Sequence, residues 1–236
     1  MALTGCGDSA SPTPPPTSAA PPPESPVEQL HARVAAAQDL RYSASYALSV
    51  AGAPQRTVTV TLAKDGSWRV DVPGGAHGGT RDVAIVSTVD GVFQCALSPA
   101  TGCVKVAAAG KGVPAEYDPR VHHPFTDWLD VLGDPSAALS VVRDTSLSVS
   151  RGECFSVESN AAALAPPVEP GIYCFDTAGV LTGARFGGRT LLLAGDHQPP
   201  PKTVQLPAPI TPGPALSTKA PLPSPTPSPT PRSSPS

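Results

Sequence analysis

Apolar residues recur every three to four positions near the start of this chain and every second position soon after. Val27, Leu30, Val34 and Ala37 fall on one helical face. Ser25-Pro26-Val27-Glu28 supplies the start: Ser25 caps, Pro26 occupies the first turn and Glu28 completes a capping box. The spacing predicts a helix ending near Leu40. From Tyr42 the period becomes two. Tyr42, Ala44, Tyr46, Leu48 and Val50 share one face, and Val58, Val60 and Leu62 alternate with threonines. Lys64-Asp65-Gly66 reads as a hairpin turn, after which Trp68, Val70 and Val72 alternate with Arg69 and Asp71. The pattern is a meander with one buried and one wet face.

Pro73-Gly74-Gly75-Ala76-His77-Gly78-Gly79 interrupts that alternation. It lacks the GxxxxGK[ST] and GxGxxG spacings that cradle phosphate, and strands flank it, so a flexible loop is expected. Strands resume at Val83–Val89, Val92–Leu97 and Cys103–Val106. Phe125, Trp128, Leu129 and Leu132 then return to helical spacing. Asp134-Pro135 reads as a cap with a first-turn proline, predicting a second short helix from Ser136 to about Val142. Further strands are expected at Cys154–Val157, Ile172–Phe175, Val180–Phe186 and Leu191–Ala194, with Thr203–Leu206 as a last one.

Proline sets the limits of this domain. Of 32 prolines, eight lie in residues 1–26 and fourteen in residues 198–236, mixed with Ser, Thr and Ala. Such segments lack the apolar area to offset chain ordering. The expected organisation is a disordered tether over 1–25, one domain over 26–206 and a disordered tail over 207–236. The tail ends in a Pro-Ser-Pro-Thr repeat that reads as an extended wall-spanning spacer, an O-glycosylated stalk or an inert segment.

Charge excludes some partners. Residues 27–197 hold 13 Lys+Arg against 17 Asp+Glu, with no basic stripe for phosphate backbones, so nucleic acid is not expected. No stretch approaches 18 apolar residues, so no membrane-spanning helix is expected. No protein partner is legible.

Leu3-Thr4-Gly5-Cys6 resembles a bacterial lipobox, in which small residues before the cysteine admit the lipoprotein signal peptidase and the sulfur takes a diacylglyceryl group. The polar run Gly7–Pro12 then reads as a tether. Only five residues precede Cys6, so the natural precursor is expected to carry an upstream signal peptide. The implied location is extracytoplasmic, anchored to the membrane through Cys6, where two acyl chains give stable attachment.

Four cysteines remain. An even number in an exported domain points to two disulfides, and three pairings exist. Cys95 and Cys103 flank the turn-rich Ser98–Gly102, while Cys154 and Cys174 sit in two β-like runs, which favours Cys95–Cys103 and Cys154–Cys174. Buried free thiols are the other reading. Their spacings lack the close CxxC pairs of a zinc site, and neither metal nor cofactor is expected.

The order of helix, about six antiparallel strands, a helical pair and about five strands, preceded by a lipobox, resembles the LolA-like half-barrel lipoprotein carriers and related actinobacterial cell-envelope lipoproteins. The resemblance spans about residues 26–206. It implies an α+β fold, an incomplete antiparallel β-barrel of about 11 strands wrapped around helices, with an apolar concave side that holds acyl chains. Under it, Trp68, Phe93, Phe125 and Trp128 become candidate ligand-lining residues; without it, aromatics at these spacings belong to a core. The disulfides and the Pro-rich C-terminus depart from that family's carriers.

The densest polar cluster is His122-His123 with Asp127 and Asp130, a base with orienting carboxylates in principle. No GxSxG nucleophile motif accompanies it, and Asp127 and Asp130 suit the wet face of a helix, so no catalytic residue is assigned. Asp118-Pro119-Arg120 reads as a turn with a local ion pair. Two functions follow: a lipoprotein binding an apolar or lipid ligand without catalysis, or a surface-displayed interaction module with a filled core.

Overall fold

The structure is a computed structural model that describes residues 25–99, 101–149, 151–160 and 166–222. The lipobox with Cys6, most of the N-terminal tether and residues 223–236 lie outside the described residues.

Helix α1 spans Pro26–Asp39 and begins as its sequence dictates. Ser25 Oγ accepts from the Glu28 N–H at 3.2 Å, and the Glu28 carboxylate accepts from the Ser25 N–H at 3.0 Å. Its face Leu30, Val34 and Ala37 is buried. Six strands follow: β1 (Ser43–Val50), β2 (Arg56–Leu62), β3 (Trp68–Ala76), β4 (Arg81–Thr88), β5 (Gly91–Ser98) and β6 (Gly102–Ala107). After a 3₁₀ turn at His123–Phe125 comes the short helix α2 (Asp127–Leu132). The second set is β7 (Leu139–Asp144), β8 (Glu153–Ser159), β9 (Gly171–Phe175), β10 (Leu181–Phe186) and β11 (Arg189–Leu193).

All eleven strands form one open antiparallel sheet in the order β6-β5-β4-β3-β2-β1-β11-β10-β9-β8-β7. Two meanders are thus joined where β11 returns to β1, and the two edges, β6 and β7, do not meet. The α+β class, the unclosed eleven-stranded sheet and the N-terminal helix agree with the sequence pattern.

One face of this sheet packs on α1 and α2. Tyr46, Val58, Phe155, Tyr173, Phe186 and Leu191 join Leu30, Val34, Trp128 and Leu132 in one buried cluster. Each such side chain removed from water contributes about 1.5–3 kcal/mol. The two buried tyrosine hydroxyls are satisfied: those of Tyr42 and Tyr46 lie 3.0 Å apart, and Tyr46 donates to the Leu181 carbonyl at 2.9 Å. The outer face carries two smaller clusters, one centred on each disulfide. Cys95–Cys103 and Cys154–Cys174 both form between directly paired residues of neighbouring strands, as the sequence favoured.

Several expectations are corrected. The short helix at Ser136–Val142 is instead a turn leading into β7. Asp134 accepts from both the N–H and the hydroxyl of Ser136, closing an Asx turn where a helix cap was expected. Among the described residues, no helix follows α2. The glycine-rich segment is not a free loop: β3 runs through Gly75 to Ala76 with a register shift, and a 3₁₀ turn follows at His77–Gly79. Thr203–Leu206 is no strand: Val204 spends its N–H on the Ser67 hydroxyl and not on a ladder carbonyl.

Residues 207–222 are not a disordered tail. With 198–206 they form a strap that borrows the sheet's donors. The Pro201 carbonyl accepts from Lys64 N–H at 3.0 Å and that of Pro209 from Cys103 N–H at 2.9 Å. Val204, Leu206 and Ala208 cover the outer cluster of Ala84, Val86 and Phe93. The strap then bridges β6 at Ile210, parallel to Cys103, and turns over this edge to the inner side. There the Gln94 amide donates to the Leu216 carbonyl at 2.9 Å and accepts from its N–H at 2.6 Å. The His77 and Gly78 N–H groups donate to Ser217 and Thr218.

Candidate functional site

The inner side of the half-barrel is packed at its middle and open near both strand ends. At one end lies a cavity of about 520 Å³, where β1 and β3 end and β2 and β11 begin. Its walls include Leu48, Val50, Val72 and Val121, with Arg56, Arg120 and Arg189 among them, and Thr218 of the strap borders it. A second cavity of about 320 Å³ lies at the opposite end, against Trp68, His122, His123, Phe125 and Leu129. The first volume is in the range of small-molecule sites.

Between the cavities runs a stack of rings. Trp68 and His122 lie 5.4 Å apart and within 16° of parallel; His122 and His123 follow at 4.2 Å, and His123 and Trp128 at 4.9 Å. The Arg120 guanidinium extends it, 5.8 Å from the Trp128 ring centre. Local sequence builds this. Asp118 closes a turn by accepting the Arg120 N–H at 2.7 Å, so His122 and His123 enter side by side before α2.

The two imidazoles have opposite electrostatics. His123 places Nε2 2.8 Å from Asp118 Oδ2 and Nδ1 2.7 Å from Asp127 Oδ1. Burial opposes its charge, but the two carboxylates outweigh burial and hold its pKa up at about 9. Both carboxyls are pulled below the usual range in spite of their own burial, through the same hydrogen bonds. His122 is almost fully buried, and its Nδ1 lies 3.7 Å from Asp118 without a hydrogen bond. Burial and then the charge on His123 press its pKa down to about 4, so it stays neutral.

Chemically, this is a buried ion triad beside a neutral ring. His123 has both nitrogens committed to carboxylates. Among the described residues no serine, threonine or cysteine side chain hydrogen-bonds to either ring. Asp118, His122 and His123 do bring one donor atom each within 4.8 Å of one another, a set of the kind transition metals use. An ion there would have to displace the proton His123 shares with Asp118, so the donors fit the ion triad better than a metal. Of the carboxylates grouped with the histidines in the sequence, Asp127 joins the cluster and Asp130 does not; Asp118, at the spacing Asp118-x-x-x-His122-His123, is the member that grouping lacked.

Other candidate residues fall as follows. Asp130 lies apart from the histidines and accepts from the Gln38 amide at 3.1 Å. Arg120 pairs with Glu169, its Nε 3.5 Å from the carboxylate, and not with Asp118. Phe93 is corrected as an inner-lining residue: strand alternation puts it with Ala84 and Val86 on the outer face, under the strap. Trp68 and Phe125 border the smaller cavity, while Trp128 is 2% exposed and edge-on to Tyr173 and Phe186 within the core. None of the four lines the larger cavity. Arg56 and Arg189, which do, were not singled out by the sequence; their signal is a charge at an apolar position of the alternation. Compared with protein-family models and with curated proteins, the chain matches none.

Proposed function

We propose that this chain is a non-catalytic extracytoplasmic lipoprotein, anchored through Cys6, that holds an apolar or lipid ligand in the larger inner cavity of an incomplete barrel of the LolA-like kind. The observation that carries the reading is the cavity itself: about 520 Å³, on the concave side, walled by Leu48, Val50, Val72 and Val121. Two disulfides support an oxidising compartment. His123 is tied to carboxylates on both sides, which supports a structural role over general-base catalysis. The test is mass spectrometry of organic extracts from the full exported chain, alone and after exposure to candidate lipids. A stoichiometric lipid is expected; clean extracts in both conditions refute the reading.

A second reading, a displayed interaction module with a filled core, draws on the packed middle of the half-barrel. Tyr46, Trp128 and Leu132 are at most 2% exposed there. Under it no lipid is retained, and the same extracts decide between the two.

A further inference from the structure

The larger cavity carries a charge pattern that the apolar reading leaves unused. In β2 the inward positions run Arg56, Val58, Val60, Leu62, and in β11 they run Arg189, Leu191, Leu193. Arg56 pairs with Leu48 across β1 and β2, and Arg189 pairs with Val50 across β1 and β11. Directly opposed residues project from the same face of a sheet. Both arginines therefore stand on the inner, apolar face, one on each side of the end of β1.

Among the described residues neither forms an ion pair, although the Glu169 carboxylate, like Arg189 Nη1, lies against Gly187. Arg56 donates through Nη1 to the Gly79 carbonyl at 3.0 Å, and Arg189 donates to the Gly187 carbonyl at 3.3 Å. Among the described residues no carboxylate lies within salt-bridge distance of either, although both are half-buried. A half-buried guanidinium gains from a counter-ion more than an exposed one does. Arg120 closes a third side. Its backbone is in the left-handed region (φ 63°), but its guanidinium is already held, with Nε 3.5 Å from the Glu169 carboxylate and the group over the Trp128 ring. The one carboxylate in the wall, Asp118, is already spent on His123 and the Arg120 N–H.

The fold also makes room for this. A Cβ on Gly74 would fall 1.5 Å from Arg56 Nη1, so only a glycine there lets the guanidinium cross the β3 backbone. The segment expected as a flexible loop is a seat for Arg56.

We propose that this cavity binds the anionic head of a single-chain amphiphile, a carboxylate or phosphate monoester, between Arg56 and Arg189, with its acyl chain along Leu48, Val50 and Val72. The inference rests on the binding reading above and gives it a ligand class. Guanidinium forks match a carboxylate or phosphate in bidentate fashion, and such charge-assisted bonds are stronger than neutral ones.

The test is calorimetric titration of the full chain, disulfides formed and lipid removed, with sodium palmitate, hexadecanol and sodium acetate. Palmitate is expected to bind about tenfold or more tighter than hexadecanol, and acetate to bind weakest. High salt should narrow the gap between the first two. Arg56→Gln and Arg189→Gln should each lower palmitate affinity about tenfold while leaving hexadecanol unchanged. Equal binding of palmitate and hexadecanol overturns the charged-head inference and leaves the apolar reading standing. Acetate binding as tightly as palmitate removes the acyl chain from the proposal. Binding of none of the three overturns both readings. The ligand series on the unaltered protein decides the matter even if a variant fails to fold.

Discussion

The ring stack makes stability depend on pH in a defined way. His123 has an ordinary value of 6.5 and is held at about 9 in the folded chain. Between these values the folded state keeps a proton that the unfolded state has lost, so stability falls as pH rises through the window. At 1.36 kcal/mol per tenfold in affinity, the full effect is about 3 kcal/mol, present below pH 6.5 and gone above about 9. His122 acts in the opposite sense. It stays neutral down to about 4, so from pH 6.5 to 4 the unfolded state binds a proton the folded state refuses, and stability falls as pH drops, again by about 3 kcal/mol. The groups around the pair are Asp118, Asp127 and Arg120, and the two carboxylates stay charged throughout both windows. The expected profile is a bell with its top near pH 6.5. The assay is urea unfolding of the full chain and of His123→Gln at pH 5, 6.5 and 9.5. The stability gap between them should be largest at or below pH 6.5 and nearly closed at pH 9.5. A gap that stays constant across that range would refute the ion-triad assignment. His122→Gln should remove the acid limb alone.

Three further perturbations probe the frame. Replacing Cys154 and Cys174, 20 residues apart, with serine should cost about 3 kcal/mol by loop-closure entropy, and replacing Cys95 and Cys103, 8 apart, about 2.5 kcal/mol; urea midpoints check both, and equal midpoints with the parent would refute the cross-strand pairing. Gly74→Ala places a side chain at φ 66° and against Arg56, so a loss of about 1–2 kcal/mol in a melt is expected; a neutral substitution would mean Arg56 does not cross there. Truncation after His197 uncovers Phe93 and Val86 and frees the β6 edge; about 3 kcal/mol of stability should be lost, and light scattering should show concentration-dependent association. A truncated chain as stable and monodisperse as its parent would refute the strap's role.

Local signals explain what was legible. Ser25, Pro26 and Glu28 fix where α1 starts because capping needs no distant partner. Period-two alternation marks the strands because each has one wet face. Asp134-Pro135-Ser136 misleads because the same aspartate can cap a helix or close an Asx turn. Leu139 and Val141 decide the matter only once β8 lies beside them to pair with. The strap illustrates a deeper limit. Its composition correctly says that it cannot bury a core of its own. It needs none, since proline lacks an N–H but keeps a carbonyl, and Pro201 and Pro209 accept from donors that β6 and the β2–β3 turn leave unpaired. Order here is set by the surface the segment meets, which no window of its own sequence contains.

The candidate site follows the same logic. The alternation in β2 and β11 places Arg56 and Arg189 inward, and that much is written in the sequence. What it lacks is the pairing of β11 with β1, across about 140 residues, which brings both arginines to one cavity. A charge at an apolar position reads as a frayed strand end when each strand is taken alone. Two of them flanking the same neighbour, with a glycine seat for one, are better explained as a place for an anion. The triad of Asp118, His123 and Asp127 and the pair of Arg120 with Glu169 take up the neighbouring charges. Arg56 and Arg189 are left without an ion pair, open to a ligand.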